Sequence, residues 1–409
     1  MKQVKIAVIG GGASGMMAAI SAGKAGALVT VFEASKRIGN KILMTGNGKC
    51  NFSNLIVDDE CYYSKDKVFV REVIEQFSPN ATKLFFEEAG MLVKNKNGYL
   101  YPQGEQASIV LDILRLKLKE YGICVYTECK ISKIQNQNNS FVIETENRKQ
   151  YVFDKVIIAT GGRSYPKTGS DGNGYKLAKK LGHSIVPTVP ALVQLCGTDS
   201  FYNIVAGVRS EGIVTLYIDN EMVRKERGEI QFTDYGISGI PVFQISRMAA
   251  YGLFEKKSVI IHVDVLPEYE KEQIKEFVKN RILLHKNNTL EEFMCGLTNK
   301  KLCLLAIKLL NKKSDSKVCT MSEDELLQIV LKLKNIEFHI TDTKGYETAQ
   351  VTAGGINVAE LNRDLSSKVL KGLYFTGEII DVDGICGGYN LQWAFATGYI
   401  AGYAAANEM

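Results

Sequence analysis

The apolar positions open with an unbroken run from Val4 to Ile9, rich in β-branched residues, which predicts a buried strand. Gly10, Gly12 and Gly15 follow, and Met16 to Ala25 has the small apolar residues of a helix packed closely on a sheet. A second run, Leu28 to Phe32, predicts another strand, ending in Glu33. Strand, glycine turn, helix and strand in this order begin a doubly wound α/β sheet.

Further along, the period predicts a helix from Ser108 to Tyr121 with Ser108 as its cap. Short strands follow at Ile123 to Thr127, Phe141 to Thr145, Gln150 to Phe153 and Val156 to Ile158. From about Leu192 to Val351 the character changes. Ile213 to Ile218 and Met222 to Glu226 read as a hairpin around Asp219-Asn220-Glu221, and Val259 to Val265 reads as a strand. Pro267 to Asn335 is helical in pattern, with Ser322 and Glu325 spaced as a capping box. Glycine-rich sequence then returns, with a buried strand at Leu373 to Thr376 and an Ala- and Gly-rich helix at Tyr389 to Ala404. The pattern therefore predicts an α/β fold with one discontinuous nucleotide domain, residues 1–191 and 352–409. It is interrupted by a β insert, 192–266 and 336–351, which itself carries a helical subdomain, 267–335.

Composition narrows the partners. At 409 residues the chain has room for two or three domains with proper cores. A net charge of +5 from 50 basic and 45 acidic residues gives no argument for nucleic acid or a membrane surface. Nine cysteines without a C-x-x-C pair, and only four histidines, suggest neither a metal site nor a disulfide framework, and fit a reducing cytoplasm. The first strand begins at once, without a signal sequence, and no apolar stretch approaches the ~20 residues of a membrane span. The expected partner is a small-molecule substrate, and the oligomeric state stays open.

The glycines carry the chemistry. Gly10, Gly12 and Gly15 fall in the G-x-G-x-x-G register, so the backbone around Ala13 and Ser14 can approach a pyrophosphate at a helix N-terminus. Glu33 sits where a carboxylate accepts hydrogen bonds from an adenosine ribose. After it, Lys41, Thr45, Gly46, Gly48, Cys50 and Asn51 form a loop whose amides suit a polar ring and whose Lys41 and Lys49 suit phosphate. Thr160, Gly161 and Gly162 follow a strand, where an open α/β sheet receives its ligand. Gly377, Glu378 and Asp381 precede Gly387, Gly388, Tyr389 and Asn390, where a helix N-terminus would stabilise negative charge on a reduced isoalloxazine and the carboxylates would hold ribityl hydroxyls.

The words GNGKCNFSN (46–54), ATGGRSYPKTGS (159–170), GEIQFTDYGISG (228–239), QVTAGGI (350–356) and GGYNLQWAFATGYIAG (387–402) resemble the BaiN-like flavoproteins, often called the aminoacetone oxidase family. The likeness runs in order over nearly the whole chain. It implies FAD on a discontinuous Rossmann-type domain, with a β-barrel-like insert and a small helical domain. Carried onto this sequence, it places Gly10, Gly12, Gly15, Glu33, Gly387 and Gly388 at the cofactor. The chain departs from the family at Cys386, commonly Thr, and at Asp171 and Asn173 in the T-G-S-D-G-N-G-Y word.

A flavin performs the hydride chemistry itself, so no catalytic base is required. Cys50, Cys386 and Tyr389 are the residues closest in sequence to the expected ring. With a single dinucleotide fingerprint, NAD(P)H would bind transiently as electron donor, not in a domain of its own. Three functions remain open. One is a reductase passing hydride from NAD(P)H through FAD to an activated C=C bond, a steroid or bile-acid-like enone among the candidates. The others are an oxidase of a small amine such as aminoacetone, and a flavin-binding RNA-modification or redox-responsive interaction protein.

Overall fold

A computed structural model describes residues 3–137 and 140–407, with side chains for all of them except 45–47. Five strands form one sheet in the order Leu373–Phe375, Lys155–Ile158, Lys5–Ile9, Leu28–Phe32, Cys124–Tyr126. Every neighbouring pair is parallel. Parallel sheets are covered on both faces, which is why these strands read as continuous apolar runs rather than alternating ones. Lys155–Ile158 is buried at all four positions. The chain runs outward from Lys5–Ile9 in both directions across the sheet, so a crevice opens at the carboxyl end of that central strand.

The first helix is Ala13–Lys24 and begins directly after Gly12. The helix expected at Ser108 starts one residue earlier, at Ala107, and Ser108 is inside its first turn. Gln106, the N-cap, is held extended by a bridge to Lys49, so the backbone sets the start and no side chain caps it.

Two compact units emerge, one of residues up to Val189 with those from Ala349 onward, the other Pro190–Thr348. The second contains a closed barrel ordered Leu195–Gly197, Gly236–Ser238, Glu221–Phe232, Arg209–Ile218, Val259–Asp264, Ile336–Thr343. Its long hairpin turns on two residues rather than three. Asp219 (φ 50°) and Asn220 (φ 66°) are both left-handed, and Glu221 already belongs to the next strand. Such a turn matches the twist of its strands, and Asp and Asn tolerate the conformation. Helices Lys271–His285, Leu290–Met294, Lys300–Leu309 and Glu323–Lys332 share a core with the barrel, Phe293, Leu305 and Ile329 joining Leu216, Ile261 and Phe338. The capping box closes as expected, the Ser322 hydroxyl accepting from the Glu325 amide at 3.2 Å and the Glu325 carboxylate accepting from the Ser322 amide at 2.9 Å. Among the described residues no helix is long and apolar enough to cross a membrane.

Candidate functional site

Because the sheet is parallel, the loops after its strands leave from one edge. Gly10 follows Lys5–Ile9, Glu33 follows Leu28–Phe32, Thr160 to Gly162 follow Lys155–Ile158, and Gly377 and Glu378 follow Leu373–Phe375. Four segments distant in sequence thus share one edge. The three fingerprint glycines do different work there. Gly10 (φ +106°) is in a conformation L residues avoid, and a Cβ on Gly15 would lie 1.9 Å from the Gly10 carbonyl oxygen. Gly12 has φ −79°, and nothing lies within 4 Å of where its Cβ would be. The space in front of Gly12 is open, and no side chain caps the helix that follows. That leaves amide donors and the positive helix end facing the opening.

Glu33 does more than its sequence position implies. Its buried carboxylate accepts from the Gly11 amide at 2.8 Å and from the Ser35 amide at 2.7 Å, tying the phosphate turn to the loop after the second strand. Lys41 donates to Glu378 at 2.6 Å, and the other Glu378 oxygen accepts from the Thr352 amide at 3.0 Å. The Thr352 hydroxyl in turn accepts from the amides of Arg163 and Ser164 at 2.8 and 3.1 Å. Thr352 therefore joins three of the glycine-rich segments. It lies inside the QVTAGGI word, where no periodicity or motif marks the threonine for this role.

At the other end, Gly387 (φ +132°) and Gly388 (φ +89°) lead into the helix Tyr389–Asn407. A Cβ on Gly388 would meet Asn51 Oδ1 at 2.7 Å and the Ser53 carbonyl at 2.8 Å, so the loop holding Cys50 and Asn51 packs directly on this glycine pair. Asn54 donates to the Gly387 carbonyl at 3.1 Å, and the Ser53 hydroxyl donates to Gln392 at 2.6 Å. Tyr389 and Asn390 are engaged by the fold. The Tyr389 hydroxyl donates to the Ile56 carbonyl at 2.9 Å, and burial pushes its pKa well above the usual phenol value. The Asn390 amide spans the Gly384 backbone with two bonds of 2.8 Å. Cys50 is fully buried, Cys386 is half-buried, and Asp381 is buried with its amide donating to the Ile356 carbonyl at 2.9 Å. Gly48 (φ +90°) is open, Gly161 is left-handed at φ +67°, and the side chains of Thr45 and Gly46 lie outside the described part.

The departures from the family words have local structural roles. Asp171 pairs with Lys130 at 2.8 Å and accepts from the Asn173 amide at 2.9 Å, while Asn173 donates to the Ile131 carbonyl at 3.0 Å. Together they anchor the 168–174 loop.

The edge fits a dinucleotide. Asn51 Oδ1, Thr160 Oγ1 and Thr376 Oγ1 are enclosed polar atoms without a hydrogen-bond partner in the protein. Enclosed polar atoms are almost always satisfied, so the two threonine hydroxyls just past sheet strands, and Asn51 Oδ1 against Gly388 at the other end, fit a polar ligand that reaches both.

Comparison with known proteins agrees with this geometry. Residues 4–404 match the HI0933-like protein Rossmann domain. The 3-dehydro-bile acid delta(4,6)-reductase of Clostridium scindens is 41% identical over 99% of each chain. The ribosomal RNA dihydrouridine synthase of Haemophilus influenzae is 30% identical over 96% of each. Among solved structures, a 3-ketosteroid-delta4-(5alpha)-dehydrogenase from Rhodococcus jostii RHA1 shares the fold, with a TM-score of 0.53 at 14% identity over 99% of this chain and 97% of that one. The chain belongs to the HI0933-like Rossmann family of FAD-dependent oxidoreductases.

Proposed function

We propose that this protein is a reductase that uses bound FAD to deliver hydride to a C=C bond conjugated to a carbonyl, with NAD(P)H as the donor and a bile-acid-like steroid enone as substrate. The observation that carries this reading is the full-length identity of 41% to a bile-acid reductase. Once reduced by NAD(P)H, the flavin would supply the hydride for the β-carbon, and a proton from solvent would go to the α-carbon. Gly10, Gly12 and Gly15 would admit the pyrophosphate, Glu33 would accept from the ribose, and Thr160 and Thr376 would bond the chain between phosphate and ring. Asn51, Gly387 and Gly388 would border the ring. Lys41 would act by holding Glu378 in place.

Anaerobic stopped-flow mixing tests the reading. Rapid bleaching of the bound flavin by NADH or NADPH, followed by reoxidation on adding a steroid enone, is the expected result. Bleaching by aminoacetone and by neither nicotinamide would overturn it in favour of amine oxidation.

A second reading has its own support. The relative at 30% identity is named for making dihydrouridine, the product of reducing the C=C bond of uracil, which is likewise conjugated to a carbonyl. It weighs against the expectation, drawn from net charge, that nucleic acid is no partner. Loss of a dihydrouridine from ribosomal RNA when the gene is deleted, restored by the wild-type gene, would favour RNA over steroid.

A further inference from the structure

The hairpin strands Val93–Lys96 and Tyr99–Pro102 pair Lys96 with Tyr99 and Lys94 with Tyr101. Alternation puts these four side chains on one face and turns Leu100, fully buried, to the other. Lys96 stands 5.2 Å over the Tyr101 ring. Just beyond the hairpin, Glu105 gathers three ammonium groups: Lys96 at 2.5 Å and Lys94 at 2.9 Å on one oxygen, and Lys49 at 3.4 Å on the other. Hydrogen bonds from Lys96 and Lys94 hold the Glu105 carboxyl at a pKa of about 2, so it is charged at any physiological pH. One carboxylate against three ammonium groups leaves two positive charges uncompensated within the cluster.

We propose that Lys49, Lys94 and Lys96 form a docking nest for a compact anionic group, a carboxylate or a phosphate, carried by the substrate away from its reducible bond. Each ammonium group has three donors, and Glu105 with two oxygens cannot absorb them all. Lys94 and Lys96 converge on one oxygen of Glu105, which suits a single anion better than an extended polyanion. Glu105 preorganises the nest by keeping three flexible side chains together, so a ligand need not order them itself. The nest also has a direction. Tyr99, next to Lys96 across the hairpin, is 41% exposed, and its ring edge would be 3.2 Å from a Cβ on Gly387. The exposed ring thus bridges from the lysines to the glycine pair assigned to the ring end of the cofactor. An amphipathic substrate with its anion on the lysines would lay its apolar body over Tyr99.

The proposal rests on the reductase reading only for the apolar part of the ligand, and the experiment separates the two. Calorimetric titration of the FAD-loaded protein would compare testosterone, testosterone hemisuccinate and testosterone phosphate, which share one enone and differ in the anion. The expected result is that one or both anionic esters bind about tenfold or more tightly than testosterone, by an advantage that falls with added salt. Lys94→Gln/Lys96→Gln should abolish that advantage and leave the affinity for testosterone unchanged. Preference for the hemisuccinate identifies a carboxylate, and preference for the phosphate identifies a phosphate ester. Equal affinities for all three steroids, or an advantage that survives in the double variant, would overturn the nest. Should no steroid bind, the steroid reading fails, and inorganic pyrophosphate then decides the nest alone. Binding lost in the double variant upholds it, and no binding to the wild type overturns it.

Discussion

Gly12 and Gly15 look alike in a fingerprint and have opposite tests. Gly12 has ordinary backbone angles and empty space before it, so Gly12→Ala costs the apoprotein no more than about 1 kcal/mol, as the loss of a tolerable N-cap residue. The methyl group would stand where a pyrophosphate must approach, and FAD affinity should fall at least about tenfold. Gly15→Ala drives a methyl into the Gly10 carbonyl and should destabilise the apoprotein by about 1–3 kcal/mol, the usual cost of overpacking. Urea melts of apoprotein and FAD titrations measure both, and a Gly12→Ala protein that binds FAD normally would refute the role given to that space. His183 offers a second test. Its Nδ1 is 2.9 Å from Glu360 and its Nε2 is 2.8 Å from the Ser367 hydroxyl, in the order of a hydrolase triad. Ser367 is buried, however, and its oxygen accepts from the amides of Val369 and Leu370, so it clamps rather than attacks. Burial pushes the His183 pKa below its ordinary value, outweighing the opposing pull of Glu360. As pH falls below about 6.5 the unfolded chain therefore takes up the proton first, and stability that is complete above that value is lost. Wild type should lose stability from pH 7 to pH 5 more steeply than His183→Gln, and parallel curves would remove His183 from the account.

The C-terminal helix Tyr389–Asn407 shows what was legible at the scale of elements and what was not. Its Ala and Gly content permits a close approach, of a backbone or of a flat ligand, and by itself does not decide between them. Gly398 and Gly402 settle that for themselves: a Cβ on either would meet the first helix, at 2.4 Å from the Ser14 carbonyl and 2.2 Å from that of Ala18. The spacing of four on both helices lets two ridges seat directly against each other. Gly402→Ala should therefore cost about 1–3 kcal/mol by overpacking, read as a lower urea midpoint, although the residue lies at the far end of the helix from Gly388. An unchanged midpoint would mean the helices separate at no cost. Strand positions were legible because burial on both faces writes a continuous apolar run into the sequence. The ties that assemble the site were not, because Thr352 with Arg163, and Asn54 with Gly387, are 189 and 333 residues apart and involve one side chain and one backbone atom. Such a bond leaves no periodic trace. Ser108 has the residue type of a cap but does not cap the helix, for a related reason: the distant partner Lys49 sets the backbone of Gln106.

At the scale of the molecule, the second unit begins and ends beside itself. Leu195 in its first strand pairs with Thr343 in its last, and the Lys344 amide donates to the Gln194 carbonyl at 2.9 Å. Adjacent ends are what allow a unit to interrupt another without disrupting either fold. The change of pattern near Leu192 and Val351 is visible in the periodicity, whereas the barrel is implied only by the family resemblance and is present, since periodicity does not pair strands whose partners are set in three dimensions. Each unit has its own apolar core, so each should unfold as its own cooperative transition. All the residues proposed to hold FAD lie in the first unit, so FAD would then stabilise that unit and leave the other where it was. At about 100 times its Kd a ligand adds about 2.7 kcal/mol. The chain supplies a local reporter, because its single tryptophan, Trp393, is buried in the first unit, its indole N–H donating to the Gly377 carbonyl at 3.3 Å. Urea unfolding followed by tryptophan fluorescence should shift to higher urea with FAD, while far-UV circular dichroism should retain a second phase at an unchanged midpoint. If both probes gave one coincident transition that moved as a whole with FAD, the two units would be a single folding unit, and the insertion would be energetic as well as topological.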